Sequence, residues 1–504
     1  MSDTDSPSLS SDGEAEDYSF ITREPKNLAL ACSTDKLERS DLAQSIRVAC
    51  GITSENKQSV LSLLKYRECG INFSSGTKSM ITGQYLPNTY QRIKKFSSKP
   101  FCGIYSKNGQ HFLATVQDKD VYLFRVNSRV YSKTKRFSIP SYGWSIVDAA
   151  FSSDDRYFVY SGWSDNGINC LRYFLFMNFT STHRNFFMVQ VYLHAVHGNT
   201  NERESLLIKD DRRMRFCIFS IKFSSDDREL LCGGNDECLY IYDRELKTKI
   251  RVKNHRFDVN SVAYADKSSQ ILFSAGDDGL CRVWDRRLLN VNHPKPVGIH
   301  TGHQGSITHI EPRGDGTYYI TNSKDQTIKL WDTRVFSSSE AQKEARHIVI
   351  NANIAWDYRW QNVPKSLLNP PRLIKGDTSV MTYRGHIVSQ TLIRCRFSPT
   401  ETTGQRFICT GDGCGRIISK FEKISNASSI EINFFNFISV YDVLSGKIIH
   451  WCAGHEALVR DVNWHPHHPE IVSTSWDGGV YVWRYQEEPV DNDRNKHCRD
   501  MSPK

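Results

Sequence analysis

The strongest constraint on the fold is a pattern of His, Asp and Trp that recurs three times at nearly constant spacing. The copies run from His255 to Trp284, from His303 to Trp331 and from His455 to Trp483. The His-to-Trp separations are 29, 28 and 28 residues, and in each copy an Asp lies six residues before the Trp. Units that repeat in this way bury their apolar faces by stacking on one another.

The residues inside each copy alternate between apolar and polar side chains and are separated by Gly/Asp turns, as in ILFSAGDDGLCRVWD at 271–285. This alternation is typical of antiparallel strands, and blades of about 40–45 residues indicate a β-propeller. Four weaker copies lie at 101–126, 144–165, 219–245 and 385–446. The sequence therefore predicts an all-β, seven-bladed WD40 β-propeller over residues 95–486, whose closed ring leaves no long free sheet edge.

The recurring polar side chains are predicted to form a structural hydrogen-bond network. The Asp lies in the turn between the second and third strands, where it can accept a hydrogen bond from the His, which in turn reaches a Ser and the Trp indole. The predicted members are His303, Ser323, Asp325 and Trp331 in blade five, and His455, Ser475, Asp477 and Trp483 in blade seven. His, Ser and Asp also make up hydrolase triads, but their repetition favours a structural role. We find no phosphate-binding loop, metal-ligand cluster or unrepeated nucleophile, so we predict no enzyme activity, cofactor or metal.

Charge is distributed unevenly along the chain. Residues 1–20 contain six acidic and no basic side chains, although the net charge is +9. We predict a disordered acidic tail at 1–34 and a second disordered tail at 487–504. The basic body could attract acidic peptides or nucleic acid, but a surface of mixed charge favours simple solubility over nucleic-acid binding.

Neither a membrane span nor a secretory signal is evident. We find no uninterrupted apolar run near the roughly 18 residues that a helix needs to span a membrane.

The cysteines do not form a metal-binding or redox motif, because the 14 of them include no CxxC pair. Reduced thiols in a soluble intracellular protein are expected.

Three segments do not fit the blade pattern. Residues 335–382 form a predicted loop between blades, in which Trp356, Tyr358 and Trp360 either contact a partner or pin the loop to the propeller. Residues 171–187 and 420–439 interrupt strand patterns and are predicted to be atypical insertions. They are either retained non-coding sequence, including errors in gene prediction, or a functional lid.

Residues 35–68 are predicted to form a helical arm of two short amphipathic helices. Ser40 and Asp41 can cap a helix that has Leu42 and Ile46 on one face, and Val60, Leu61 and Leu64 mark the second helix. Two roles remain open for the arm, docking on the propeller or binding a partner.

Blades four and five both end in Trp-Asp-x-Arg, at 284–287 and 331–334. This pair resembles the double motif of substrate receptors for cullin-4–RING ubiquitin ligases. The segments WSIVDAAFSSDDRYFVYSGWSD, SSQILFSAGDDGLCRVWDRR and WDYRWQNVP look like the receptors of the WD repeat-containing protein 23 type, also called cullin-4-associated factor 11. The likeness extends from about residue 60 to 485.

The resemblance implies a receptor that bridges a three-propeller damaged-DNA-binding adaptor and a protein substrate, in the cytoplasm and nucleus, for ubiquitination and degradation. By motif, Arg287 and Arg334, with Asp285 and Asp332, contact the adaptor. We do not extend this role to the third match at 356–359, which is not at a blade end. Candidate substrate contacts, taken from loop positions on the opposite rim, are Trp163, Lys324, Arg394, Arg460 and Trp476. The alternative is a non-catalytic WD40 scaffold of a chromatin or RNA-processing complex, because propellers bind many kinds of partner.

Overall fold

The computed structural model describes residues 34–487, except for 53–64, 66, 71–72, 119, 128, 139–141, 165–190, 198–203, 207, 209–215, 365–366, 368–373, 414–415 and 420–431. Nearly all of the two predicted disordered tails lies outside the described residues, as does the whole of segment 171–187.

Seven antiparallel sheets form the predicted seven-bladed propeller, and the fold prediction is confirmed. The first strand, β1 (Thr89–Lys95), belongs to the last blade. The other strands follow in chain order. Blade one contains β2 (Pro100–Tyr105), β3 (His111–Val116), β4 (Asp120–Asn127) and β5 (Val130–Ser138); blade two contains β6 (Tyr142–Phe151), β7 (Tyr157–Ser164), β8 (Val191–Ala195) and β9 (Glu204–Leu206); blade three contains β10 (Ile218–Phe223), β11 (Glu229–Gly234), β12 (Cys238–Asp243) and β13 (Thr248–Lys253). Blade four contains β14 (Ser261–Tyr264), β15 (Ile271–Ala275), β16 (Cys281–Asp285) and β17 (Gly298–His300); blade five contains β18 (Ile307–Pro312), β19 (Tyr318–Ser323), β20 (Thr327–Asp332) and β21 (Met381–Arg384). Blade six contains β22 (Cys395–Phe397), β23 (Phe407–Gly411), β24 (Arg416–Ser419), β25 (Ile432–Asp442) and β26 (Ile448–His455); blade seven contains β27 (Val459–Trp464), β28 (Ile471–Ser475) and β29 (Gly479–Arg484).

The ring closes by pairing the first strand with the last. In the antiparallel pair of β1 and β29, Tyr90 lies opposite Trp483. The propeller therefore begins at residue 89, and the predicted boundary at residue 95 is wrong. The sequence TYQRIKK of β1 lacks apolar alternation because most of this outer strand is exposed to solvent.

The two faces of the ring carry different loops. The upper face carries the turns between second and third strands, at 276–280 in blade four and 324–326 in blade five. The lower face carries the residues after the third strand, at 286–288 and 333–338. Because consecutive antiparallel strands run in opposite directions, these two connections emerge at opposite ends of the sheet.

The predicted polar network is present in blade five, but with a different hydroxyl. His303 Nδ1 lies 2.9 Å from Asp325 Oδ2, and His303 Nε2 lies 2.7 Å from Thr321 Oγ1. The indole of Trp331 donates to the same Thr321 oxygen at 2.7 Å. The predicted role of Ser323 is wrong: its hydroxyl accepts the backbone N–H of Asp325 instead. Trp331 pairs with Tyr319 in the antiparallel ladder. Its side chain therefore contacts the diagonal neighbour Thr321, and not Ser323 at the end of β19.

Blade seven repeats this arrangement. His455 Nδ1 lies 2.8 Å from Asp477 Oδ2, and Ser473 Oγ lies 2.7 Å from both His455 Nε2 and the Trp483 indole nitrogen. The prediction for Ser475 is wrong for the same reason, since its hydroxyl accepts the backbone N–H of Asp477. In blades five and seven the network thus ties the upper turn to the third strand.

Replacing Asp325 by Ala is expected to lower the free energy of unfolding by about 1–3 kcal/mol, because it leaves the buried His303 without its acceptor. Burial by itself would raise the pKa of Asp325, but His303 and Thr327 hold it below its usual range. Chemical denaturation measures the loss, and Ser323→Ala, which leaves the His contacts intact, should cost less. An Asp325→Ala chain that unfolds like wild type yet loses partner binding would contradict a structural role.

The N-terminal arm docks on the propeller. The helices described are α1 (Asp35–Glu38), α2 (Asp41–Ala49), α3 (Ser75–Thr82), α4 (Ser339–Ala355) and α5 (Thr400–Thr403), together with a 3₁₀ turn at Arg286–Leu288. Ser40 caps α2 by accepting the N–H of Ala43, as predicted. Leu42 and Ile46 are buried in one cluster with Tyr383 and Tyr441, between blades five and six. The helix predicted around residues 60–64 lies outside the described residues, and α3 extends the helical segment beyond the predicted limit.

The prediction for residues 420–439 is wrong for 432–439. These residues belong to β25, where Ile438 lies opposite Gly411 and Ser439 opposite Thr410 in the blade-six sheet. Phe437, Ile438 and Ser439 are buried. The Phe-Ile-Ser of 437–439 resembles the Ile-Ile-Ser of 417–419, so either segment can supply the residues that precede Val440 in the third strand.

A chain that lacks residues 420–439 is therefore expected to fold. The deletion joins Ser419 to Val440 and places 417–419 where 437–439 lie. The main change in the core is Ile for Phe437, at a cost of about 1 kcal/mol. Deleting 432–439 alone should destabilise the chain far more, because polar residues would then enter the strand. Thermal unfolding followed by circular dichroism compares the two deletions, and equal melting temperatures would show that 437–439 do not support the sheet.

Candidate functional site

The two Trp-Asp-x-Arg motifs lie on the lower face, each at the end of a third strand. Asp285 ends β16 and Asp332 ends β20. Each carboxylate accepts the backbone N–H of the Arg two residues later, at 2.9 Å in both blades. This local turn fixes where Arg287 and Arg334 leave the propeller.

Each Arg also forms a two-point ion pair with its own Asp. Arg287 Nε and Nη2 lie 2.9 and 2.7 Å from the Asp285 oxygens, and Arg334 Nε and Nη2 lie 2.9 and 2.7 Å from those of Asp332. The side-chain hydrogen bonds from Arg287 lower the pKa of Asp285 to about 2. The Arg side chains remain 67% and 53% exposed. We call each Asp–Arg pair a fork; it holds an exposed guanidinium in one orientation before any partner arrives.

The fork of blade five also contacts the arm. Arg334 Nη1 lies 2.9 Å from Asp41 Oδ2 at the start of α2, and Nη2 donates to the Tyr318 hydroxyl at 2.8 Å. Arg287 Nη1, by contrast, has no hydrogen-bond partner among the described residues. The arm and the blade-five fork thus form one continuous lower-face surface, a contact that the sequence pattern did not reveal.

A third fork lies on the opposite face. Arg359 Nε and Nη2 lie 3.0 and 2.9 Å from the Asp357 carboxylate, in the same geometry as the lower-face pairs. Between these two residues, Tyr358 stacks on Lys324 of an upper turn, and its backbone carbonyl accepts the N–H of Gln390. The third motif is therefore separate from the lower-face surface, which agrees with its position away from a blade end.

Two of the predicted substrate contacts are wrong. Arg394 and Arg460 are only 4% and 2% exposed and lie in the central channel. Arg394 Nη2 and Nη1 lie 2.7 and 3.2 Å from Asp148 and Asp461, which links blade six to blades two and seven. Arg460 donates to the backbone carbonyl of Phe101 in blade one. Both Arg residues lie at the start of innermost strands, whose side chains point towards the ring centre, where sequence alone cannot distinguish them from rim residues.

The other predicted substrate contacts differ in accessibility. Lys324 is buried, with Nζ 2.9 Å from Asp277 Oδ1 and 3.9 Å from the centre of the Tyr358 ring. Its charge is therefore already compensated. Trp476 is half-buried, with Lys99 Nζ 4.1 Å from its ring centre. Trp163 lies near the end of β7, and its side chain lies outside the described residues.

The aromatic group of residues 335–382 divides into anchors and an open side chain. The predicted position of this segment between blades is wrong, because it connects β20 to β21, the third and fourth strands of blade five, and its last two residues belong to β21. Trp356 is 9% exposed and its indole donates to the carbonyl of Gln361, while Tyr358 covers Lys324. Trp360 is 86% exposed on the upper face. Trp356 and Tyr358 thus pin the segment to the propeller, and Trp360 is the side chain left open for a partner. The Trp-x-Tyr-x-Trp pattern identifies this group in the sequence but does not show which of the three side chains is exposed.

The described part of the chain contains neither a candidate metal centre nor a candidate membrane helix. Within it, no three or more His, Cys, Asp or Glu side chains are grouped closely enough to hold a metal ion. None of the helices seen between residues 34 and 487 combines the length and apolar character needed to cross a membrane.

Comparison with known proteins decides the family. The WD domain, G-beta repeat family matches residues 246–285, 294–332 and 446–484. The DDB1- and CUL4-associated factor 11 homolog of Caenorhabditis elegans is 34% identical over 460 residues, which cover 89% of this chain and 72% of that protein. The chain belongs to the DDB1- and CUL4-associated factor 11 family. The LEC14B protein of Lithospermum erythrorhizon is 32% identical over 507 residues, which cover 97% of this chain and 96% of that protein.

Membership of the DDB1- and CUL4-associated factor 11 family confirms the resemblance seen in the sequence. The matched repeats are offset from the blades: residues 294–332 begin before the outer strand β17 of blade four and end with the third strand β20 of blade five. Each matched repeat therefore contains the outer strand of one blade and the three inner strands of the next blade. The repeat thus connects two neighbouring blades, which also pack against each other.

Proposed function

We propose that this chain is a non-catalytic substrate receptor of a cullin-4–RING ubiquitin ligase. The observation that carries the proposal is the pair of exposed Asp–Arg forks, which adjacent blades hold in the same geometry on the lower face beside the docked arm. Two relatives whose printed name is DDB1- and CUL4-associated factor 11 homolog support the same assignment.

In this role, the lower face binds the three-propeller damaged-DNA-binding adaptor and the upper face binds a target protein. Both guanidiniums can donate to carboxylates or backbone carbonyls of the adaptor without first reordering. The receptor contributes positioning: it raises the effective concentration of target lysines near the ubiquitin-loaded enzyme, in the cytoplasm and nucleus, and leads to degradation.

The direct test is complex formation between purified full-length chain and adaptor, followed by size-exclusion chromatography. We expect the two to coelute as a one-to-one complex at concentrations of about 1–10 μM, which suits a specific interface. Absence of a complex at these concentrations would reject the receptor role. So would affinity purification from cells that recovers chromatin or RNA-processing subunits and no ligase subunits.

On the upper face, Trp360→Ala is expected to reduce target capture by about tenfold, because truncating an exposed aromatic anchor removes its whole contact with a partner. Ubiquitination of co-purified proteins after proteasome inhibition provides the measurement. Val130→Ala, which removes a 65% exposed apolar side chain from the start of the outer strand of blade one, across the ring from both lower-face forks, is the control. Adaptor binding should be unchanged in both variants, and an unaltered set of captured proteins in Trp360→Ala would exclude this anchor.

A further inference from the structure

Three cations surround one aromatic ring where the outer strands of blades seven and one meet. Lys94 Nζ on β1 and Lys133 Nζ on β5 lie 5.0 and 5.2 Å from the centre of the Tyr122 ring, and the Arg136 guanidinium lies 5.8 Å from it. The Phe96 ring packs against Tyr122 with centroids 4.7 Å apart. We call Lys94, Lys133, Arg136 and Tyr122 the Tyr122 cluster. It lies on the outer rim, away from both the forks and Trp360.

Positive charge in the Tyr122 cluster is only partly neutralised. Arg136 pairs with Asp120 at 2.7 Å, and the same carboxylate accepts a hydrogen bond from the Tyr122 hydroxyl. In the described part of the chain, no carboxylate lies within 4.0 Å of Nζ of Lys94 or of Lys133. Burial and the like charges of Lys133 and Arg136 lower the pKa of Lys94. The cluster therefore favours an anionic ligand, and an additional carboxylate near Lys94 and Lys133 would relieve the repulsion.

The same chain contains a segment of complementary charge. Residues 3–17 contain all six acidic side chains of the first 20 residues, which include no Lys or Arg. The first described helix, α1, is anchored at blade five, where Lys36 Nζ contacts the carbonyls of Asp377 and Ser379. About 17 residues separate position 17 from α1, and an extended chain of this length spans up to roughly 55 Å. This length allows the acidic segment to pass blade six and reach the junction of blades seven and one.

We infer that the Tyr122 cluster binds the acidic segment 3–17 of its own chain. Carboxylates of this segment pair with Lys94 and Lys133, while the aromatic pair of Phe96 and Tyr122 holds the lysine stems in place. Because the tether keeps the acidic segment close, weak individual ion pairs suffice for occupancy. The contact does not depend on the proposed ligase role.

Zero-length carbodiimide cross-linking of the dilute full-length chain tests this contact, since it joins only carboxylates and amines that touch. Peptide mapping should find links within one molecule from residues 3–17 to Lys94 and Lys133, in preference to other surface lysines. Lys133→Glu should reduce the links to Lys94 by about tenfold, through lost attraction and added repulsion. Lys249→Glu, on the outer strand of blade three, is the matched control and should leave them unchanged.

Four results would overturn the inference. The acidic segment could link to surface lysines without preference for the cluster, or the two charge reversals could reduce the links to Lys94 equally. The links could also form only between molecules, which a dependence on protein concentration would reveal. An excess of a synthetic peptide of residues 1–20 should compete with the internal links, and a single-stranded RNA that competes better than this peptide would assign the cluster to nucleic acid instead.

Discussion

A full-length chain carrying Arg287→Ala and Arg334→Ala is expected to bind the cullin-4 adaptor at least about a hundredfold more weakly than wild type. In the proposed receptor role, each substitution removes a guanidinium that its Asp holds towards the adaptor, and it leaves an acceptor of the adaptor without a donor. Both Arg side chains are more than half exposed in the free chain, so the melting temperature should stay close to that of wild type. Surface-immobilised adaptor would give the dissociation constants.

The third fork provides a matched control for this experiment. Arg359→Ala removes the same bidentate pair from the upper face and should leave adaptor binding unchanged. The two single variants are also informative, because Arg334 contacts Asp41 of the arm and Arg287 does not. We expect Arg287→Lys to bind weakly too, since an ammonium cannot reproduce the two-point fork. A folded double variant that keeps its adaptor affinity would refute the assignment of this surface.

Arg394→Met is expected to lower the free energy of unfolding by about 3–5 kcal/mol, although no surface contact is lost. Arg394 is the buried cation shared by Asp148 of blade two and Asp461 of blade seven. Burial alone would raise the pKa of Asp148, but Arg394 and Lys222 hold it below its usual range. Removing Arg394 therefore leaves two buried carboxylates with only the longer contacts to Lys222 at 3.5 Å and Arg396 at 3.8 Å to compensate their charge. Denaturant-induced unfolding at neutral pH measures the effect.

A double-mutant cycle isolates this pair from general damage to the core. Arg394→Met combined with Asp148→Asn should cost less than the two single changes added together, because the neutral amide no longer needs the cation. Arg228→Met removes an exposed ion pair to Asp243 and should leave the free energy of unfolding nearly unchanged. Additive costs in the cycle would show that Arg394 stabilises the ring by packing and not by its charge.

The repeat pattern was enough to predict seven blades, because strand alternation and the His–Asp–Trp spacing are local properties. The forks were predictable as motifs for the same reason: Asp285 and Arg287 are two residues apart. Contacts between distant segments were not predictable. The pairing of β1 with β29 and the contact of Asp41 with Arg334 depend on how the ring closes. Arg394 and Arg460 resemble rim residues in the sequence because a charged side chain that faces a central channel has the same sequence context as one that faces solvent.

Ring closure also sets an order for folding during synthesis. Tyr90 stays unpaired until Trp483, its partner almost 400 residues later, has been made, and at 5–20 residues per second this delay is on the order of 20–80 s. Throughout this time the nascent chain carries β1 without its ladder partner. The sequence TYQRIKK protects the unpaired strand during this time, because its two lysines and its arginine discourage edge-to-edge association with other nascent chains. The ribosome must therefore release most of blade seven before any copy of the protein can complete its ring.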